Sequence, residues 1–283
     1  MSPDQALANV PLRTVETSRG RVQYRHAGDA AHATHVLLHG IGSASASWMR
    51  QLAAVQGRAD LGVLAWEAPG YGQSQALSEA QPQAVDYAQS LWAWLDALNM
   101  AGPVRLVGHS LGALMAAAAA RLQAHRVQGL VLLAPARGYG DAEPAERERV
   151  LQSRLKNLQA LGPEGMARQR AAAMLSPNAP AALVEAVRAN MAAIHPAGYT
   201  QATHMLAQGR LIQDLLRLPQ AASGRIWVAS GEADGITPPD ACDAVAQALG
   251  QSRLSLGPVG HACPLEAADA VNALLGLPSG VRA

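Results

Sequence analysis

The stretch PVRLVGHSLGALMAAAAA, Pro103–Ala120, decides the fold. A β-prone apolar run, VRLV, gives way within a few residues to an alanine-rich helical run. The change falls on Gly108-His109-Ser110-Leu111-Gly112. Gly-x-Ser-x-Gly alone is a modest signal, because chance matches are common in Gly- and Ala-rich chains. Between a buried strand and a helix it has a physical meaning. A serine on so sharp a turn occupies strained dihedrals, and side chains two residues to either side would clash, so both positions are glycine. The turn presents Oγ at the carboxyl end of a sheet. It also sets the Leu111 N–H at a helix start, where unpaired donors favour negative charge. The plainer reading is a serine that only caps a helix.

Outward from this turn, short β-prone runs alternate with helix-period segments. LRTVET and RVQYRHAG form a strand pair about a Ser-Arg-Gly turn. HVLLHG and LGVLAWEAPGYG are apolar strands closed by glycine breaks, DYAQSLWAWLDALNM is a helix, and VQGLVLLAPA is a further strand. This βαβα alternation predicts an α/β fold with a mostly parallel sheet covered by helices. The rhythm breaks from Arg137 to about Gln220, a span several times the dozen or so residues of a plain crossover. Four segments there are helical: ERERVLQSRLKNLQAL, PEGMARQRAAAML, PAALVEAVRANMAAI and YTQATHMLAQGRLIQDLLRL. The strands RIWVASG and RLSLGPVG then alternate with the helices PDACDAVAQALG and CPLEAADAVNALLG. The expected organisation is a core over 1–136, a helical insertion over 137–221 and the rest of the core over 222–283.

Bulk properties narrow the function. A net charge of +1 leaves no electrostatic footprint for nucleic acid, and no basic run addresses a membrane surface. Cys242 and Cys263 lie far from any metal-ligand spacing and read as free thiols of a reducing compartment. MSPDQALANVPLRTV lacks the basic-then-apolar pattern of a secretory signal, and LGALMAAAAARLQ is too short to span a bilayer. The expectation is a soluble cytoplasmic protein that acts on a small molecule, needs no metal or cofactor, and leaves homo-oligomerisation open. There is no Phe, so aliphatic residues are expected to supply nearly all the core.

A serine hydroxyl needs a base to become a nucleophile. Of nine histidines, His261 in LGPVGHACPLE is the best placed, after the last strand and before the last helix. His39 and His109 read as structural neighbours of their glycines. The base needs an orienting carboxylate. Asp234, in the loop after the penultimate strand, is the first choice, with Glu232 second and Asp141 third. The order Ser110, Asp234, His261 fits a serine triad.

Five motifs in order, HGIG, APGYGQS, GHSLG, GEADGITP and GHACPLE, resemble the α/β-hydrolase superfamily across nearly the whole chain. The resemblance implies an α/β-hydrolase fold whose helical insertion caps the nucleophile. It also implies that the Ile41 N–H pairs with the Leu111 N–H as an oxyanion hole. GIGSAS could instead be a dinucleotide turn, with Glu67 as the ribose-binding acid. Ser45 at the third glycine's place and the motif's position after the third strand argue against that. Trp48 is expected to pack in the core behind this loop. Arg168 and Arg170 read first as a solvated helix face and second as partners of a substrate carboxylate.

The expected activity is hydrolysis of a small carboxylic ester or lactone through an acyl enzyme. The insertion loosely resembles enol-lactonases and ring-cleavage hydrolases, which implies small acidic metabolites. Carbon–carbon bond hydrolysis and cofactor-free perhydrolase chemistry are alternatives on the same triad. Ala113, where the carbon–carbon hydrolases carry a second glycine, counts against the first. A non-catalytic ligand-binding protein of the same fold is the alternative of another class. Activity should fall as pH drops through roughly 6 to 7, where a histidine base gains its proton.

Overall fold

The computed structural model describes residues 9–219 and 225–279. Among these, eight strands form one sheet. They are β1 (Leu12–Thr17), β2 (Gly20–Gly28), β3 (Ala33–Leu38), β4 (Gly62–Trp66), β5 (Val104–His109), β6 (Val127–Leu133), β7 (Ile226–Ser230) and β8 (Leu254–Ser255). Their order across the sheet is β1-β2-β4-β3-β5-β6-β7-β8. β1 and β2 make the expected antiparallel hairpin, and β2 runs antiparallel to β4. Every later pairing is parallel. Central strands covered on both faces must be apolar throughout. Val36–Leu38 and Gly129–Leu133 are accordingly buried without a break.

Helices α1 (Met49–Ala54), α2 (Ala84–Ala97) and α3 (Gly112–Leu122) belong to the first part of the chain. The alanines of α3 are almost fully buried, and their small side chains let the helix lie close against the sheet and against α2. The Trp92 indole of α2 donates to the Ala119 carbonyl of α3 at 3.1 Å. Most core residues are aliphatic, as expected. The scarce aromatics are concentrated inside: Trp48, Trp66, Trp94, Tyr71 and Tyr87 are the largest fully buried side chains, and Trp66 stacks on Trp94. Each buries a large area, so a few suffice where Phe is missing.

Between β6 and β7 come α4 (Pro144–Arg170), α5 (Ala181–Ala192), α6 (Pro196–Gln208) and α7 (Leu211–Leu216), with no strand among the described residues. α4 joins the first two segments across a kink at Gly162, immediately before Pro163. YTQATHMLAQGRLIQDLLRL reads as one helical segment but forms two helices. Gly209 leaves the helix with its Cα against Leu114, where a Cβ would meet Cδ1 at 2.6 Å. The expected end of the insertion at 221 lies outside the described residues, as do residues 1–8 of the N-terminal stretch.

The last part carries α8 (Pro239–Ala248), α9 (Cys263–Glu266) and α10 (Ala268–Leu275). RLSLGPVG keeps only two strand residues, because Gly257 at φ +87° and Pro258 turn the chain off the sheet edge. CPLEAADAVNALLG breaks at Ala267 into α9 and α10. Among the described residues no helix is long and apolar enough to cross a membrane.

Candidate active site

Ser110 follows β5 with φ at +54°, a left-handed conformation that a serine adopts only when its surroundings impose it. Those surroundings are backbone. A Cβ on Gly108 would meet the Gly112 carbonyl oxygen at 2.5 Å, and a Cβ on Gly112 would meet the Leu38 oxygen at 2.2 Å. Both glycines are therefore steric requirements of the turn. The Ser110 N–H donates to the Leu133 carbonyl at 2.9 Å, and the Ser110 carbonyl accepts from Ala113 and Ala136.

Asp234 and His261 lie in the loops beyond β7 and β8, at the same carboxyl edge as Ser110. Tight backbone contact draws the two loops together. A Cβ on Gly231 would strike the Val259 oxygen at 1.9 Å, and the amides of Glu232 and Ala233 donate to the Gly257 and Val259 carbonyls. His261 Nδ1 lies 2.9 Å from Asp234 Oδ2. Asp234 Oδ1 accepts from the amides of Ile236 at 2.8 Å and Thr237 at 3.0 Å. Burial pushes the Asp234 carboxyl up, but the hydrogen bonds from His261 and these amides outweigh it and hold the pKa below the usual value. The carboxylate therefore stays ionised, and the proton on His261 sits on Nδ1. The other ring nitrogen, Nε2, belongs to a side chain that lines the same cavity as Ser110.

The alternative acids are elsewhere. Glu232 is exposed and pairs with Arg253, and Asp141 is exposed and pairs with Arg210. Glu67 is buried, with Ser45 donating to its Oε1 from Oγ at 2.5 Å and from its amide at 3.2 Å, so it is closed off from a ribose in solvent.

The loop after β3 brings Gly40 against the serine, where a Cβ would lie 3.2 Å from Ser110 Cβ. His39 Nε2 accepts from the Ala68 amide at 3.0 Å, so its proton is on Nδ1, which donates to the Gly40 carbonyl at 2.8 Å. A trans peptide points its C=O and N–H in opposite directions. His39 thus fixes the Ile41 N–H on the side away from its own ring. Tyr71 OH donates to the Ile41 carbonyl at 2.8 Å and holds the next peptide. Among the described residues neither the Ile41 nor the Leu111 N–H has an acceptor. Burial lowers the His39 pKa to about 4, which keeps this lock neutral.

Behind the site, the His109 ring lies under His261, with centroids 4.9 Å apart, and its Nε2 donates to the His261 carbonyl at 2.8 Å. Trp48 is fully buried edge-on to His109, in keeping with a core position.

These groups open onto a cavity of about 300 Å³. Its floor is Gly40–Ser43, Ser110, Leu111 and His261, and its roof comes from α4, α5 and α6. Met166, Met174 and Met191 face it, whereas Met115 and Met205 are core. Arg170 lines it and Arg168 does not; Arg168 is exposed and pairs with Glu164. Sequence reasoning missed Thr237, whose hydroxyl lies 2.9 Å from Asp234 Oδ2 and 3.1 Å from His261 Nδ1. Its place in GITPP, beside the chosen acid, was the available signal. It also missed Arg154, which no motif marks. Among the described residues no cluster of His, Cys, Asp or Glu could hold a metal ion.

Comparison with known proteins agrees with this architecture. The family described as the alpha/beta hydrolase fold matches residues 36–268. The enol-lactonase of Burkholderia xenovorans LB400 superposes with a TM-score of 0.80 at 20% identity, over 93% of this chain and 98% of that one. A thermophilic esterase of Thermogutta terrifontis, with malate bound, superposes with a TM-score of 0.78 at 22% identity, over 94% and 97%. Among sequence relatives, abhydrolase domain-containing protein abhd-5.2 of Caenorhabditis elegans is 30% identical over 54% of this chain and 34% of its own length. The (E)-2-((N-methylformamido)methylene)succinate hydrolase of Acinetobacter baylyi is 32% identical over 41% of this chain and 42% of its own. The chain thus spans less than half the length of either sequence relative.

Proposed function

Because the chain belongs to the alpha/beta hydrolase fold family, we propose that Ser110, His261 and Asp234 form the catalytic triad of a serine hydrolase that cleaves a small carboxylic ester or lactone. The observation that carries this reading is the meeting of Ser110, at its strained left-handed φ, and a carboxylate-backed His261 in one cavity wall. Ser110 Oγ attacks the carbonyl carbon while His261 Nε2 takes its proton. Asp234 holds the imidazolium through Nδ1–H. The negative charge on the former carbonyl oxygen is taken by the amides of Ile41 and Leu111. Collapse breaks the C–O bond, and the leaving alkoxide receives the proton from Nε2. A water then repeats the sequence on the acyl enzyme, giving the carboxylic acid and free Ser110.

The helices between β6 and β7 act in this proposal as a cap over the nucleophile, consistent with the roof they form. The similarity to an esterase and an enol-lactonase supports ester or lactone chemistry. The buried free thiols of Cys242 and Cys263 accord with a reducing, cytoplasmic setting.

Turnover of a short-chain nitrophenyl ester is expected, with kcat falling about 10³-fold or more in Ser110→Ala. A serine-directed phosphonate should label the wild type at Ser110 and leave the variant unlabelled. Unchanged turnover in Ser110→Ala would overturn the assignment. Ligand binding without either reaction would favour a non-catalytic protein of this fold.

A further inference from the structure

The cavity wall is mostly apolar, yet its charged side chains have one sign. Arg137, Arg154 and Arg170 line it, and no acidic side chain among the described residues does. Composition does not explain this, since the chain carries 22 basic and 21 acidic residues. About half of the chain's arginines do find carboxylates, among them Arg121 with Asp214, Arg126 with Asp96, Arg188 with Glu185, and Arg253 with Glu232 and Asp243. The three in the cavity have no ion pair among the described residues. Arg154 makes one long contact, Nη1 to the Tyr199 hydroxyl at 3.5 Å. Arg137 is exposed, while Arg154 and Arg170 are half-buried on α4, on the two sides of its kink.

A guanidinium drawn partly out of water without a counter-charge carries a desolvation cost that an incoming anion offsets. The planar fork suits a carboxylate best, through two parallel hydrogen bonds. We propose that the cavity takes an ester or lactone bearing a second, free carboxylate, held by Arg154 and Arg170 while the scissile carbonyl lies at Ser110. The substrate class is thus a monoester or lactone of a dicarboxylic acid. The aliphatic and Met residues of the wall accommodate the carbon chain between the two carbonyl groups. This inference rests on the reading of Ser110 as nucleophile, but the arginines can be tested apart from it.

Two probes differ only at the far end of the acyl chain: 4-nitrophenyl valerate and mono-4-nitrophenyl glutarate. The ratio of kcat/KM for the glutarate ester over the valerate ester should exceed one in the wild type. It should fall roughly tenfold or more in Arg154→Gln and in Arg170→Gln, the scale of one charge-assisted contact. Arg168→Gln, on the same helix but outside the cavity, should keep the ratio. A ratio unchanged in both cavity variants overturns the inference, while loss of valerate hydrolysis in Ser110→Ala keeps the nucleophile. If neither ester turns over, calorimetric binding of glutarate decides. Binding by the wild type that is lost in the Arg154→Gln/Arg170→Gln double variant supports the inference. Absent binding, or binding equal in both proteins, overturns it.

Discussion

Thr237 stands between two groups that the proposed chemistry needs together. Its hydroxyl is within hydrogen-bond reach of Asp234, His261 and the Ala134 carbonyl, while its amide donates to the other Asp234 oxygen. Thr237→Val keeps the shape and the amide but deletes the hydroxyl. Steady-state kinetics on a neutral nitrophenyl ester should show kcat down roughly tenfold with a smaller change in KM, the scale of one hydrogen bond to a charged group. Thr237→Ser should restore most of the rate; equal losses in both variants would assign the effect to packing. At this scale the sequence was most legible where a residue sits in a motif with a steric reason. The glycines around Ser110 announce it, and the loop around Asp234 follows the end of a strand. Thr237, His39 and Tyr71 lie inside the quoted motifs, but the motifs do not state their tasks, because those are defined by what folds against each side chain.

Among the elements, one carboxylate concentrates several of the hydrogen bonds where the helices between β6 and β7 meet the loop that carries His261. Glu266 at the end of α9 accepts from the Ser176 amide, the Ser176 hydroxyl and, at 2.8 Å, the Gly260 amide next to His261. The Ala262 amide donates to Met174 across the same seam, and Gly260 lies too close to Leu175 for any side chain. Glu266→Gln replaces an acceptor-only group with one that brings two donors among existing donors. Urea unfolding should show a loss of about 1–3 kcal/mol, and hydrogen exchange at Ser176 and Ala262 should quicken. Exchange unchanged at both amides would mean the seam is held without Glu266. The alternation of strands and helices was readable because periods of 2 and 3.6 differ over a few residues. The shortened β8 and the break between α6 and α7 were not. Each is set by a glycine whose contacts or dihedrals belong to the folded chain.

For the whole molecule, buried titratable groups shape stability against pH. Burial lowers the pKa values of His35 and His39 to about 4 and of His109 to about 3. The unfolded chain takes up these protons near the ordinary histidine value of about 6.5, whereas the folded one does not until near pH 4. Unfolding therefore gains protons in that window, and stability falls as pH drops from about 6.5 to 4, by on the order of 3 kcal/mol per ring. Glu67 works in the opposite sense. Burial raises its pKa to about 7 despite the donors from Ser45, so its cost appears as pH rises from 4.5 to 7. The three rings outweigh the one carboxyl. Denaturant titrations across pH 4–8 should show stability rising with pH. Glu67→Gln should gain on the wild type as pH passes from 4.5 to 7; parallel curves would refute the assignment to Glu67. By itself the sequence determined the layered fold and pointed to a helical stretch between β6 and β7 and to the three residues proposed as the triad, because strand and helix periods and steric glycines act over a few neighbouring residues. Only the tertiary structure decided which arginines face the cavity, how the loop after β3 is locked and which buried groups titrate. Those properties depend on the distance and the water left between groups far apart in the chain, and folding alone fixes them.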